Sequence, residues 1–101
     1  MAKELEVSEP TMRYPVDGMV FQMDPRLPPD AQSLTLSADL PGGLGPARFF
    51  INGRPQPTDE FRLAPGRFTL AAEGFDPTAG IWTRSPDATV RVLRPPLPYH
   101  E

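Results

Sequence analysis

Fifteen of the 101 residues are proline, and they recur at short intervals from Pro10 to Pro98. A proline inside a helix removes a hydrogen bond and clashes with the preceding turn, which costs about 3 kcal/mol. No proline-free window longer than about ten residues repeats its apolar side chains at the 3.6-residue period of a helix. The chain is therefore predicted to build its core from strands rather than helices.

Alternating apolar and polar residues predict several half-buried strands. In residues 33–40 every second side chain is apolar, so one face of the strand is apolar and the other is polar. Residues 67–73 and 89–92 repeat the pattern, and residues 19–23 and 48–51 show shorter, more ambiguous versions of it. The predicted inward side chains of the two longer segments are Leu34, Leu36, Ala38, Leu40, Phe68, Leu70 and Ala72.

Turn signals separate these strands. An Asn-Gly pair favours a two-residue type I′ hairpin, because both residues of that turn need a positive φ. A Pro-Gly pair favours a type II turn, which should join residues 60–63 to the strand at 67–73 as a hairpin. The predicted turn residues are Asp17, Gly18, Asn52, Gly53, Pro65 and Gly66.

The arm that follows the Asn-Gly turn is predicted to be an edge of a sheet. Pro55 and Pro57 lie two residues apart, so their missing N–H groups face the same side of a strand. Such an arm can pair through its other side only, and it resists further pairing.

Together these signals predict an all-β fold, a β-sandwich of immunoglobulin or fibronectin type with about seven short antiparallel strands. Cysteine is absent, so the disulfide that marks antibody domains is missing. We expect residues 1–8 to be a flexible N-terminal lead, residues 9–94 to form the sandwich, and residues 95–101 to be an extended, proline-rich tail.

The residue inventory argues against catalysis. The one histidine is His100, and the one lysine, Lys3, does not follow a serine at the S-x-x-K spacing, so no serine has an activating partner. The aspartates lie at turns, where they cap the backbone. We therefore predict no catalytic residue, no cofactor and no metal site, and hence no enzyme activity in this chain.

Net charge and hydropathy also argue against two kinds of interaction, nucleic-acid binding and membrane insertion. The chain has 10 basic and 13 acidic residues, a net charge of −3 and no basic run, which argues against nucleic acid. No apolar run approaches the roughly 20 residues that span a bilayer, so no membrane insertion by this chain is expected.

Aromatic residues offer the best candidates for binding. Trp82 and Tyr14 could form a stacking platform for a sugar or a peptide, although a lone Trp in a small sandwich more often lies in the core or at its rim. Phe49 and Phe50 are adjacent, so in a strand they face opposite sides, and one of them lies outside the core or is covered by another group. The candidate binding residues are Trp82, Tyr14 and Phe50. The arginines are scattered over many strands, which is typical of a solvated outer face.

An ordered series of motifs resembles the C-terminal domain of penicillin-binding protein 1C. Residues 14–25, with the letters YPVDGMVFQMDP, resemble its P-x-D-G…F…D-P opening, and Asn52-Gly53 falls where the family has an Asp/Asn-Gly turn. Residues 63–70, LAPGRFTL, are similar to its P-G-x-H-x-L hairpin. The resemblance runs from about residue 11 to residue 93, but the stretch at 71–87 is longer than the short turn of the family.

The resemblance implies a parent protein with peptidoglycan glycosyltransferase and transpeptidase activities, anchored in the inner membrane and facing the periplasm. This chain would be its non-catalytic accessory domain, monomeric, and docked on a partner protein, on the catalytic domain of its parent or on peptidoglycan. The alternative is a carbohydrate-binding or adhesion module of another bacterial extracytoplasmic protein, with Trp82 and Tyr14 as its platform.

Overall fold

The computed structural model describes residues 9–42 and 44–95, and the strands there confirm the all-β prediction. The strands are β1 (Thr11–Tyr14), β2 (Val20–Gln22), β3 (Ser33–Thr35), β4 (Ser37–Asp39), β5 (Ala47–Ile51), β6 (Arg54–Pro55), β7 (Glu60–Arg62), β8 (Gly66–Asp76), β9 (Ile81–Arg84) and β10 (Ala88–Leu93). A short 3₁₀ helix spans Pro29–Ala31. Within the described ranges no helix has the length and hydropathy needed to cross a bilayer. The predicted lead at 1–8, and the tail beyond residue 95, lie outside the described residues.

The strands form the two layers of a sandwich. In the first layer β1 pairs with β4 and β3 pairs with β7, with β3 and β4 on either side of Leu36. The second layer is a six-stranded sheet in the order β2-β10-β8-β5-β6, and β9 also pairs with β8. The 11-residue strand β8 is central, because β5 lies along one edge while β10 and β9 follow one another along the other.

The core lies between the layers, where the alternation placed it. Leu36, Leu70 and Ala72 are buried as predicted, and Leu34, Ala38 and Phe68 pack against the core as partly buried side chains. The buried members of the cluster are Met23, Leu36, Phe49, Phe61, Leu63, Leu70, Ala72, Ala88, Val90 and Val92.

Two details differ from the predicted sandwich. The described residues contain ten strands rather than about seven, because residues 33–40 are interrupted at Leu36 and because β1 and β9 fall outside the recognised alternation. One pairing, between β2 and β10, is parallel. These two strands come from opposite ends of the chain, so no hairpin turn fixes their relative direction.

The Asn-Gly turn has the geometry that its residues favour. Asn52 and Gly53 have φ values of +53° and +81°, and they join β5 to β6 as a two-residue hairpin. Asn52 Oδ1 also accepts a hydrogen bond from the N–H of Thr69, at 2.9 Å. β6 is the last strand of its sheet, which is the edge position that Pro55 and the following proline predict.

The Asp-Gly turn holds the start of the domain against β10. Gly18 has a φ of +91°, a value that favours glycine. The N–H of Gly18 donates to the carbonyl of Thr89 at 2.8 Å, and Asp17 Oδ1 accepts from the N–H of Thr89 at 2.7 Å. The turn is thus bonded to one residue of β10 at two points.

The hairpin predicted at Pro65-Gly66 is wrong. β7 pairs with β3 in the first layer, whereas β8 pairs with β10, β5 and β9 in the second. Both edges of β8 are occupied, so the Pro-Gly segment carries the chain from one layer to the other. Gly66 has a φ of +140°, which is not the value near +80° of a type II turn.

Ser85, at the break between β9 and β10, has a structural role that the sequence did not indicate. Its buried Oγ accepts a hydrogen bond from the N–H of Ala72 at 2.9 Å and donates to the carbonyl of Pro86 at 3.0 Å. The side chain thereby satisfies a buried N–H of β8 on the edge of that strand where β9 has ended and β10 has not yet begun.

We predict that Ser85→Ala lowers the free energy of unfolding by about 1–3 kcal/mol, because the N–H of Ala72 is then buried without a partner. Urea unfolding monitored by circular dichroism would measure the loss. The matched control is Ser33→Ala, at an exposed strand position, which should change stability by less than about 0.5 kcal/mol. Equal effects of the two substitutions would contradict the role of Ser85.

Candidate binding surface

The outer side of the second layer carries a cluster of charged and aromatic side chains on three adjacent strands. Arg48 of β5 lies opposite Glu73 of β8, which in turn lies opposite Arg84 of β9. Residues two apart along a strand share a face, so Phe50, Phe75 and Trp82 belong to the same surface. We call this surface the Trp82 face, and it consists of Arg48, Phe50, Glu73, Phe75, Trp82 and Arg84.

The carboxylate of Glu73 forms ion pairs with both arginines of the Trp82 face. Arg48 donates from Nε to Glu73 Oε1 at 2.9 Å, and its Nη2 lies 2.8 Å from the same oxygen. Arg84 Nη1 is farther, 3.4 Å from Glu73 Oε2. Two positive groups therefore share one negative group, and the face has a surplus of one positive charge.

Trp82 is the most exposed aromatic side chain of the Trp82 face, with 36% of its surface accessible. The guanidinium carbon of Arg48 lies 3.8 Å from the centroid of the indole, a cation–π contact. The ring of Phe75, directly opposite on β8, makes an edge contact with it at a centroid distance of 5.3 Å. The indole is thus held on a rigid sheet while part of it faces solvent.

The structure decides which of the two adjacent phenylalanines faces outward. Phe49 belongs to the core, whereas Phe50 lies opposite Ala71 on the outer side of the sheet. Phe50 is nevertheless only 9% exposed. The guanidinium carbons of Arg48 and Arg84 lie 5.5 and 4.7 Å from its ring centroid, so the arginines are the groups that cover it.

Tyr14 is not part of this surface. Its ring contacts Phe21 of β2 at a centroid distance of 6.3 Å, and Phe21 pairs with Val92, which pairs with Gly66 at the start of β8. Trp82 pairs with Phe75, nine residues farther along β8, which corresponds to about 30 Å of strand. The predicted platform of Trp82 and Tyr14 is therefore not formed, and Phe50 is the predicted residue that lies with Trp82.

Sequence reasoning missed Arg48, Glu73, Phe75 and Arg84. The arginines were interpreted as scattered, but two of them converge on one carboxylate. A local signal was present: Arg48 and Phe50, Glu73 and Phe75, and Trp82 and Arg84 are pairs two residues apart, which share a face in any strand. The alignment of the three strands was the missing information.

The hairpin that presents Trp82 has its own turn chemistry. Asp76 Oδ1 accepts hydrogen bonds from the N–H groups of Thr78 and Ala79 at 3.0 and 3.2 Å, and Gly80 has a φ of +73°. An aspartate that caps its own turn, followed by Pro77 and closed by a glycine, is a turn signal.

Within residues 9–42 and 44–95 no three side chains of the His, Cys, Asp and Glu types come together as a metal site would require. An open groove of about 560 Å³ lies between the β5–β6 turn and β7, with Phe61 and Phe68 at its lining and Arg54, Glu60 and Arg62 beside them. Thr58 also lines the groove, and its Oγ1 accepts a hydrogen bond from the N–H of Glu60 at 3.2 Å.

Comparisons with known proteins show the fold. No family model matches the chain, and no curated protein matches it. Among solved structures, the fibronectin(III)-like modules of Clostridium thermocellum CbhA are similar, with a TM-score of 0.65 and 13% identity over 86% of this chain and 99% of that one. The Bacteroides ovatus mixed-linkage glucan utilization locus protein SGBP-B, solved with a mixed-linkage heptasaccharide, has a TM-score of 0.47 and 17% identity over 88% of this chain and 25% of that one. The chain is thus an immunoglobulin/fibronectin III-like β-sandwich.

Proposed function

We propose that this chain is a non-catalytic accessory module that docks on another protein through the Trp82 face. The observation that carries the proposal is the partly exposed indole of Trp82 on β9, which the guanidinium of Arg48 on β5 contacts at 3.8 Å. Tryptophan and arginine are the residues most often found at the energetic centre of protein interfaces. A rigid presentation also reduces the entropy lost on binding.

The same contact favours a protein partner over a glycan. A sugar ring that stacks on an indole needs an open aromatic face, and the guanidinium of Arg48 already occupies one face of Trp82. A protein side chain can instead approach the exposed rim and the arginines together. The alternative, a carbohydrate-binding or adhesion module, retains Trp82 as its best stacking residue but loses Tyr14.

For the parent protein, we propose a periplasmic peptidoglycan synthase of the penicillin-binding protein 1C type, in which residues 9–94 are the sandwich unit and act as a monomer. The support is the order of the turn motifs in the chain. The 14–25 segment carries the Asp17-Gly18 turn bonded to β10, and Asn52-Gly53 forms the hairpin between β5 and β6. In this setting the reactive groups belong to other parts of the parent protein.

Ile81 is an exposed residue that precedes Trp82 at the start of β9, and its side chain points to the opposite side of this strand. We predict that a photo-crosslinking amino acid at Ile81, next to the docked partner, forms an adduct in envelope preparations that contains the transpeptidase or glycosyltransferase domain. The same group at the equally apolar and exposed Leu27 should form no such adduct, because Leu27 lies in the loop after β2, at the opposite end of β8. Mass spectrometry of the adducts would identify the partner.

Two outcomes would contradict this function. One is the same crosslinking pattern from both positions, which would indicate random encounters. The other is a shift of Trp82 fluorescence on addition of muropeptides or oligosaccharides, which would support the glycan-binding alternative instead.

A further inference from the structure

The strand β9 has one edge that no other described strand covers. It pairs with β8 through Ile81–Arg84, and β10 takes over the same edge of β8 only after Ser85. The sheet has two further edges. One, β6, carries Pro55, and Pro57 follows it, so that edge lacks donors for a further strand. The other, β2, is only three residues long and pairs with the part of β10 that lies beside the start of β8, away from the Trp82 face.

Hydrogen-bond alternation shows which backbone groups of β9 face away from β8. The N–H of Ser85 donates to the carbonyl of Ala72 at 2.8 Å, which makes that pair a hydrogen-bonded one. In antiparallel strands such pairs alternate with pairs whose backbone groups point outward. Trp82 and Arg84 are therefore the residues of β9 whose N–H and C=O groups face the open edge. Consistently, the carbonyl of Phe75, opposite Trp82, points the other way and accepts from Gly45 at 2.9 Å.

We infer that the β9 edge binds an extended segment of a partner protein by strand addition, and that this segment carries acidic side chains opposite Arg84. The inference rests on the proposed docking function and specifies its geometry. Strand addition obtains affinity from backbone hydrogen bonds and specificity from alternate side chains. Here the outward backbone groups and the side chains of the Trp82 face belong to the same two residues, Trp82 and Arg84.

Charge complementarity specifies the partner. Arg84 lies 3.4 Å from a carboxylate that Arg48 already binds at 2.8 Å, and its side chain is 42% exposed. An acidic residue directly opposite Arg84 would neutralise the surplus charge of the face. A second copy of the chain would instead bring two positively charged faces side by side. Four edge residues also bury far less than the roughly 1,200 Å² of a stable interface, so a second copy is the weaker occupant.

The experiment uses the ¹⁵N-labelled chain and a synthetic probe, acetyl-Ser-Val-Glu-Val-Glu-Val-Ser-amide. On titration, the amides of Trp82 and Arg84 should become protected from hydrogen exchange, while those of Ile81 and Thr83 keep the protection that β8 already gives them. Two matched probes carry N-methyl groups on the glutamates or on the valines. A strand whose glutamates lie opposite Arg84 has its glutamate amides directed at β9.

Methylation of the glutamates should therefore weaken binding roughly tenfold or more, whereas methylation of the valines should leave it nearly unchanged. A probe with lysine in place of glutamate should also bind roughly tenfold more weakly, because it repels Arg84. Equal effects of the two methylated probes, or protection of Trp82 and Arg84 that rises with protein concentration in the absence of a probe, would overturn strand addition by a partner. If the Ile81 crosslink still formed although strand addition had failed, the proposed docking function would hold without this binding geometry.

Discussion

Replacement of Phe61 by alanine is expected to lower the free energy of unfolding by about 3–5 kcal/mol. Phe61 is 1% exposed and lies on β7 in the first layer, and its ring meets that of Phe68 on β8 at a centroid distance of 5.2 Å. Removal of the ring leaves a void between the layers where they contact each other. A domain of this size has about 5–15 kcal/mol in total, so the loss is a large part of its stability.

Urea unfolding followed by circular dichroism would measure this loss. Phe61→Leu is the first control, because it keeps an apolar side chain at the site and should cost less than Phe61→Ala. Val16→Ala is the second, since Val16 is exposed and its truncation should change stability by less than about 0.5 kcal/mol. If Phe61→Ala were no more harmful than Val16→Ala, β7 would not be packed against the second layer as described.

The second large effect is expected on binding. Trp82→Ala should reduce the yield of the Ile81 crosslink roughly tenfold or more, since truncation of an interface tryptophan commonly costs 2 kcal/mol or more of binding energy, about thirtyfold in affinity. Its effect on folding should be small. Trp82 is partly exposed, and the lost cation–π contact with Arg48 contributes only about 0.5–1 kcal/mol at such a site.

The control for Trp82→Ala is Tyr14→Ala, which removes a similarly exposed aromatic residue at the other end of the sandwich. It should leave the crosslink unchanged. A third variant, Arg48→Ala, keeps the indole but removes the group that holds it, so it should reduce the yield less than Trp82→Ala does. Equal losses in the Tyr14 and Trp82 variants would mean that the partner does not recognise the Trp82 face.

The central strands could be predicted because their signals are local. The alternation at residues 67–73 gave the inward side chains of β8, and a strand has no other way to separate its apolar side chains from its polar ones. The Asn52-Gly53 hairpin could be predicted for the same reason, since the required positive φ values belong to the two residues themselves. Ser85 could not be predicted, because its partner, Ala72, is 13 residues away on another strand.

In the candidate site too, residue types could be read from the sequence, whereas contacts between distant segments could not. Trp82 and Phe50 could be selected as binding candidates from their residue types, but their common neighbour Arg48 could not. Tyr14 was grouped with Trp82 by residue type alone, and the order of the strands separates them. The connection between β7 and β8 was predicted as a hairpin for a related reason: the Pro-Gly signal shows that the chain turns, but not which strand it pairs with afterwards.

The amino-acid order alone thus settled the all-β class, the inward faces of the main strands and the positions of the tight turns, since each depends on φ preferences or on a two-residue period within one segment. Folding settled which strands are neighbours, and with that the row of Arg48, Glu73 and Arg84, the cover over Phe50 and the free edge of β9. Neighbours in a sheet are chosen by contacts between distant segments, and the entropy of closing the intervening loop changes only slowly with its length. No local pattern therefore encodes that choice.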